Sequence, residues 1–307
     1  MKTAYIFPGQ GSQSVGMLSS LSGIQSRLDA AWEAASDIVG LDVARLVNEG
    51  PESQLNQTAV TQPVLLAASH ALWQAAEAGG LPRPDAVAGH SLGEYSALVA
   101  ADVLDFVDAL KLVRLRGRLM QEAVPEGEGA MAAVLGLDDD AVADICQSVS
   151  ERLGQVVAAA NYNCPGQVVI AGTAQAVSEA GEALKAAGAR RVLPLAVSVP
   201  SHCLLMKPAA ERMAEALDAV VFRAPRIPVV QNTVAQAVTD PDELKRNLVE
   251  QLYCPVRWTQ GIQWLLGQGV SQFYECGPGK VLAGLVKKID RNAEVITLSN
   301  YAEWSQS

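Results

Sequence analysis

Ala86-Val87-Ala88-Gly89-His90-Ser91-Leu92-Gly93-Glu94-Tyr95-Ser96-Ala97-Leu98-Val99-Ala100 passes from a short apolar run, through two glycines flanking a serine, into a helical pattern. Gly-x-Ser-x-Gly between a strand and a helix is the nucleophile-elbow arrangement of α/β enzymes. The turn is so tight that side chains two residues either side of the serine would meet backbone. Gly89 and Gly93 remove that clash. The Ser91 oxygen then projects at the head of the helix, where free N–H groups can stabilise an oxyanion. The competing reading is a Gly-rich turn with an ordinary capping serine.

On either side of this turn, short apolar runs alternate with helical patterns, which predicts a parallel sheet covered by helices. Residues 3–7 read as a buried first strand, ended by Pro8-Gly9-Gln10-Gly11. The middle of the chain differs. Residues 129–137 read as a strand and 138–153 as a helix, with Asp138-Asp139-Asp140 favouring its N-terminus. Residues 156–161 and 167–172 read as strands around Asn163-Cys164-Pro165-Gly166. Residues 173–188 read as a helix and 190–197 as a returning strand. That order, β-α-β-β-α-β, is ferredoxin-like. The expected fold is therefore α/β: a serine-hydrolase-like parallel-sheet domain (1–125 and 198–307) with an inserted ferredoxin-like small domain (126–197) entered through Glu126-Gly127-Glu128-Gly129.

Bulk composition narrows the function. The chain has 307 residues, 50% hydrophobic and 18% charged, enough for one large core plus a smaller unit. Its formal net charge of −10 argues against a nucleic-acid or membrane-surface role, since both favour a basic field. No run approaches the roughly 18 apolar residues of a membrane span. Met1-Lys2-Thr3-Ala4-Tyr5-Ile6-Phe7 meets Pro8-Gly9 too soon for a signal peptide. Five scattered cysteines with no C-x-x-C suggest neither a disulfide framework nor a zinc site, so a cytoplasmic location is expected. A monomer is the expected state.

A serine nucleophile needs a base, and there are three histidines. His90 adjoins Ser91, and neighbours in a tight turn point apart. His70 sits in an Ala-rich helical stretch, 65–76, as a packed or solvated residue. His202, in Ser198-Val199-Pro200-Ser201-His202-Cys203, falls at a strand end and a helix start, where catalytic groups of such folds gather. Elimination favours His202 as base; the alternative is an ordinary histidine at a helix start. On the predicted helix 105–123, at about 100° per residue, Lys111, Arg114, Arg118, Gln121 and Glu122 form a solvent stripe. Arg116 falls in the opposite, apolar arc between Ala109 and Ala123. A guanidinium there is costly unless an anion meets it, and its planar fork suits a carboxylate. That anion is either a substrate carboxylate or a structural Asp or Glu. Phe7-Pro8-Gly9-Gln10-Gly11-Ser12-Gln13 lacks the dinucleotide glycine spacing and could instead supply an oxyanion-hole N–H beside that of Leu92. Gly277-Pro278-Gly279-Lys280 lacks Walker spacing and reads as a turn at a helix start.

These motifs, with Arg116-Gly117, Pro165-Gly166-Gln167, Ser201-His202 and Glu275-Cys276-Gly277-Pro278-Gly279-Lys280, closely resemble in kind and order the malonyl-CoA:acyl carrier protein transacylases of bacterial fatty acid synthesis. The resemblance covers nearly the whole chain. It implies that Ser91 becomes malonylated and that His202 relays the proton. It implies an oxyanion hole from the Gln10 and Leu92 N–H groups, and Arg116 as receptor of the malonyl carboxylate. Gln251 matches the residue whose backbone carbonyl orients the histidine. The implied partners are malonyl-CoA and an acyl carrier protein, with no bound cofactor and no metal; the reaction is ping-pong acyl transfer. Ser201 stands where some malonyl-specific relatives carry Phe, leaving more room at the substrate α-carbon. Rival expectations are a malonyl transferase of a malonate decarboxylase or polyketide synthase, a serine thioesterase, and a non-catalytic binding module.

Overall fold

In chain order the N-terminal part forms β1 (Lys2–Phe7), α1 (Gln25–Val39), α2 (Val43–Glu49), α3 (Glu52–Leu55), α4 (Thr58–Ala78), β2 (Ala86–Gly89), α5 (Gly93–Ala100) and α6 (Phe106–Ala123). The middle forms β3 (Gly129–Leu135), α7 (Asp139–Leu153), β4 (Val157–Cys164), β5 (Gln167–Thr173), α8 (Ala174–Ala186) and β6 (Arg191–Pro194). The rest forms α9 (Lys207–Asp218), β7 (Val229–Val230), β8 (Ala237–Val238), α10 (Pro241–Gln251), α11 (Trp258–Gly267), β9 (Val270–Glu275), α12 (Val281–Ile289) and β10 (Glu294–Thr297). The computed structural model describes residues 1–197, 199–301 and 304.

β1 lies inside a six-stranded sheet of order β10-β9-β1-β2-β7-β8. Its side chains alternate between two apolar layers. Tyr5 and Phe7 join the core under α1, α4, α5 and α6, while Ala4 and Ile6 join that under α11 and α12. Burial on both faces explains why the strand reads as an unbroken apolar run. Neighbours pair in parallel from β10 to β7, but β8 is antiparallel to β7. The sheet is thus mixed rather than wholly parallel. The short connection between β7 and β8 permits a hairpin and has no room for a crossover helix.

β3 to β6 form a second, antiparallel sheet of order β4-β5-β3-β6. α7 and α8 cover one face, around Val142, Cys146, Ile170 and Leu184. Part of the other face packs on Cys203 through Met131, Ala160, Val169 and Ala171. The returning strand is shorter than expected, ending at Pro194 rather than 197. One further cross-strand bond, Leu195 N–H to the Met131 carbonyl at 3.0 Å, follows Pro194, and the paired register goes no farther. His202 therefore does not end a strand. It lies in a loop with φ +61°, a left-handed conformation that no strand contains. Ser198 lies outside the described residues.

The Gly277-Pro278-Gly279-Lys280 turn does lead into a helix. Glu275 accepts the N–H groups of Leu282 and Ala283 at 2.9 and 2.8 Å, satisfying the head of α12. Among the described residues no helix is long and apolar enough to cross a membrane.

Candidate active site

The site sits at the carboxyl ends of β1 and β2, where open α/β sheets bind ligands. Gly89 ends β2 and Gly93 begins α5. A Cβ on Gly89 would lie 1.9 Å from the Gly93 carbonyl carbon, and one on Gly93 would lie 2.0 Å from the Phe7 oxygen. Only glycine fits either position. Between them Ser91 takes φ +52°, the strained backbone expected of an elbow.

His202 meets Ser91 with 2.8 Å between Nε2 and Oγ. The His202 Nδ1 atom lies 2.7 Å from the Gln251 carbonyl oxygen, an acceptor only. Nδ1 therefore carries the proton, and Nε2 is left to accept from the serine hydroxyl. The ring is buried, and burial, with the Arg116 charge beside it, lowers its pKa to about 3. It is a neutral base at physiological pH. The other histidines stay out of this chemistry. His90 Nε2 pairs with Asn163 Oδ1 at 2.8 Å, and His70 stacks on Phe106 at 3.9 Å between ring centroids.

Arg116 is 1% exposed. One guanidinium nitrogen donates to Gln62 Oε1 at 2.9 Å. The other donates to Gln251 Oε1 at 2.9 Å and to Ser91 Oγ at 3.2 Å. Among the described residues its buried Nε has no hydrogen-bond partner. Nor, among the described residues, does any carboxylate make a direct ion pair with Arg116, although the buried Glu94 carboxyl acts on its charge from farther away. The solvent stripe of α6 holds except at Arg114, which is half-buried and donates to the Ala59 and Val39 carbonyls.

Gln10, Leu92, Ser91, Arg116, Ser201 and His202 share the wall of a cavity of about 140 Å³. Met131, Asn161, Leu195 and Val197 close it from the direction of the antiparallel sheet. Among the described residues, the backbone N–H groups of Gln10 and Leu92 donate to no protein acceptor. The Gln10 side chain donates to Thr58 Oγ1 at 3.4 Å.

A family model described as an acyl transferase domain matches residues 4–299. The chain belongs to the acyl transferase domain family. Among its relatives, the malonyl CoA-acyl carrier protein transacylase of Escherichia coli (strain K12) is 53% identical over 286 residues, covering 93% of this chain and 92% of that protein. That of Haemophilus influenzae is 50% identical over 305 residues, covering 99% and 97%. An acyl carrier protein S-malonyltransferase from Vibrio cholerae superposes with a TM-score of 0.93 at 52% identity, covering 97% and 96%. A malonyl-transacylase solved in complex with its type II polyketide synthase acyl-carrier protein superposes with a TM-score of 0.96 at 49% identity, covering 99% and 98%.

Around this cavity lie residues that sequence reasoning missed. Gln62, Asn163, Gln231, Asn232 and Asn247 all make side-chain hydrogen bonds in or behind it. Glu94, within the quoted elbow motif, is fully buried behind Ser91. Burial raises its carboxyl to about 7, against donors from Asn232, Gln231 and Gln251 that hold it down. Helical spacing could have flagged Glu94, since α5 is otherwise small or apolar. The amides carry no such signal.

Proposed function

We propose that this chain transfers a malonyl group from malonyl-CoA to the pantetheine thiol of an acyl carrier protein, through a malonyl-serine intermediate, for fatty acid biosynthesis. The relatives named malonyl transacylase cover nearly the whole chain at about half identity, which supports this reading. The observation that carries it is Arg116, a buried guanidinium beside the Ser91 hydroxyl whose hydrogen bonds, among the described residues, go to amide and hydroxyl oxygens and to no carboxylate. Such a group calls for an anion on the acyl chain. A generic esterase has no use for it.

The steps follow from the geometry. Ser91 Oγ attacks the thioester carbonyl while its proton passes to His202 Nε2. The developing oxyanion accepts from the N–H groups of Gln10 and Leu92. The C–S bond breaks, and the departing CoA thiolate takes the proton from His202. A carrier thiol then attacks the malonyl ester, giving its proton to His202, which returns it to the Ser91 oxygen as the ester breaks. Gln251 orients the imidazole through its carbonyl, which stabilises imidazolium less than a carboxylate would. That modest base suffices because a thiolate leaves easily. No bound cofactor or metal takes part.

In this reading residues 126–197 are a ferredoxin-like insert in a serine-hydrolase-like domain of 1–125 and 198–307. The strand order β4-β5-β3-β6 and its antiparallel pairing support that division. The reading also includes a monomer working in the cytoplasm, where five free cysteines suit a reducing environment.

The test is intact mass after brief exposure to malonyl-CoA, beside acetyl-CoA and Ser91→Ala controls. A malonyl increment that needs Ser91 and moves to added carrier protein is expected. Net hydrolysis without transfer would favour a thioesterase instead. Because one structural neighbour serves a polyketide synthase carrier, carriers of both pathway types belong in the assay.

A further inference from the structure

The mechanism above leaves the buried side chains of Asn232 and Glu94, behind the elbow, without a role. Asn232, 4% exposed, follows β7 and reaches under the Ser91 turn. Its Oδ1 accepts the Ser91 N–H at 2.8 Å, and its Nδ2 donates to the Gly89 carbonyl at 2.7 Å. The same Oδ1 accepts from Gln251 Nε2 at 3.3 Å. Asn232 is in turn held by its backbone. Its N–H donates to Glu94 Oε2 at 2.8 Å, and its carbonyl accepts from Arg257 at 3.1 Å. The other Glu94 oxygen accepts from Gln231 Nε2 at 2.9 Å.

We infer that Asn232, anchored by Glu94, is a positioning residue that clamps the Gly89–Ser91 backbone so that Ser91 Oγ stays on the base. The inference rests on the acyl-transfer reading of Ser91. The clamp bridges the two backbone groups that flank the His90 and Ser91 peptides. Those peptides hold a left-handed serine, a conformation that relaxes unless its surroundings over-determine it. Rotation there would swing Oγ away from His202 Nε2. The chemistry of the bridge is specific. Gly89 needs a donor and Ser91 needs an acceptor, and a side-chain amide supplies both in one plane. Aspartate has the same shape but would set an oxygen against the Gly89 carbonyl. The anchor is specific too. Both Glu94 oxygens face donors, so glutamine there would oppose one N–H with another.

Asn232 does not line the active-site cavity, whereas Arg116 does. The clamp therefore acts on the acylation step and not on malonyl-CoA binding. This split separates positioning from loss of fold. Asn232→Ala is expected to slow malonylation of Ser91, followed by quenched intact mass, on the order of 100-fold, the scale set by small misplacements of reacting groups. Asn232→Asp, which fills the same volume, is expected to slow it comparably, and Glu94→Gln in the same direction. Malonyl-CoA affinity, measured in the Ser91→Ala background with and without Asn232→Ala, is expected to agree within about twofold. Malonylation at the wild-type rate in both Asn232 variants overturns the proposal. Parallel loss of affinity and acylation also overturns it, because that is the mark of a merely structural residue. A serine-directed phosphonate read on the same proteins keeps the two readings apart. If it labels wild-type Ser91 while malonyl-CoA does not, the malonyl reading fails and the clamp is judged on the phosphonate rates. If neither reagent labels Ser91, the nucleophile reading and the clamp fall together.

Discussion

Arg116 offers its planar fork to Gln62, Gln251 and Ser91, and under the proposed function an arriving malonyl carboxylate exchanges these neutral acceptors for a charged one. Two such charge-assisted bonds are worth roughly 3 kcal/mol or more. Arg116→Ala is accordingly expected to lower kcat/KM for malonyl-CoA on the order of 100-fold or more while sparing acetyl-CoA. Arg116→Lys should fall between, keeping the charge but losing the fork. Steady-state rates with both thioesters check this. His202 gives a second prediction. Burial pulls its folded-state pKa from 6.5 down to about 3, so its ring resonances should not titrate between about pH 5 and pH 8. The unfolded chain takes up that proton below 6.5. The stability contribution of the neutral ring is therefore present above 6.5 and is lost as pH falls towards 3. Titration of the His202 ring signal near 6.5 would contradict the buried-base geometry. Ser91 and Arg116 were legible in the sequence because each breaks a local pattern, one a Gly-flanked turn and the other an apolar helical arc. Asn232 and Gln62 break none. Their roles depend on which polar groups the fold brings to them.

Helix packing depends on where a Cβ can be accommodated. Gly117 lies where α6 crosses α4, and a Cβ there would sit 2.6 Å from the Thr58 carbonyl oxygen. Gly117→Ala must push the helices apart, at about 1–3 kcal/mol. The shift would also draw Arg116 from Gln62, so KM for malonyl-CoA should rise with it. Gly284 is the opposite case. A Cβ added to it, inside α12, would have no atom from outside its own helix within 4 Å. Gly284→Ala is expected to stabilise the protein by about 0.5–1 kcal/mol with activity unchanged. Urea unfolding of both variants, with kinetics, tests the contrast. At this scale the alternating apolar and helical segments were readable, including the β-α-β-β-α-β middle. Strand ends were less so. The strand predicted to reach 197 stops at Pro194, since edge pairing with β3 is a tertiary matter.

The antiparallel sheet meets loops and α11 of the larger unit through polar and apolar contacts together. Val256 N–H donates to the Ala160 carbonyl, and Tyr162 N–H to the Val256 carbonyl, both at 2.9 Å. Thr259 Oγ1 donates to the Tyr162 carbonyl at 3.0 Å, and Cys203 packs among Met131, Ala160, Val169 and Ala171. Shared burial of this kind predicts one cooperative unfolding transition. All five tryptophans lie outside 126–197, though Trp258 packs in one cluster with Cys164, so their fluorescence reports the larger unit and its junction with the antiparallel sheet. Hydrogen-exchange protection of β3 and β5 should disappear at the same urea concentration as the tryptophan signal changes. Separate transitions would show that the antiparallel sheet folds independently of the rest of the chain.

The elbow, the buried cation, the alternation of strand and helix and the acidic charge are all local or compositional, so the sequence by itself determined the α/β class and singled out Ser91 and Arg116 as candidates for nucleophile and anion receptor. Distances across the fold belong to no single segment. Only the tertiary structure decided that His202 reaches Ser91 from a left-handed loop, that its ring lies 2.7 Å from the Gln251 carbonyl which the resemblance implied, and that Asn232 and Glu94 stand behind the turn. Each of those contacts joins residues more than a hundred positions apart or on different elements, where backbone geometry and burial, not spacing, choose the partner.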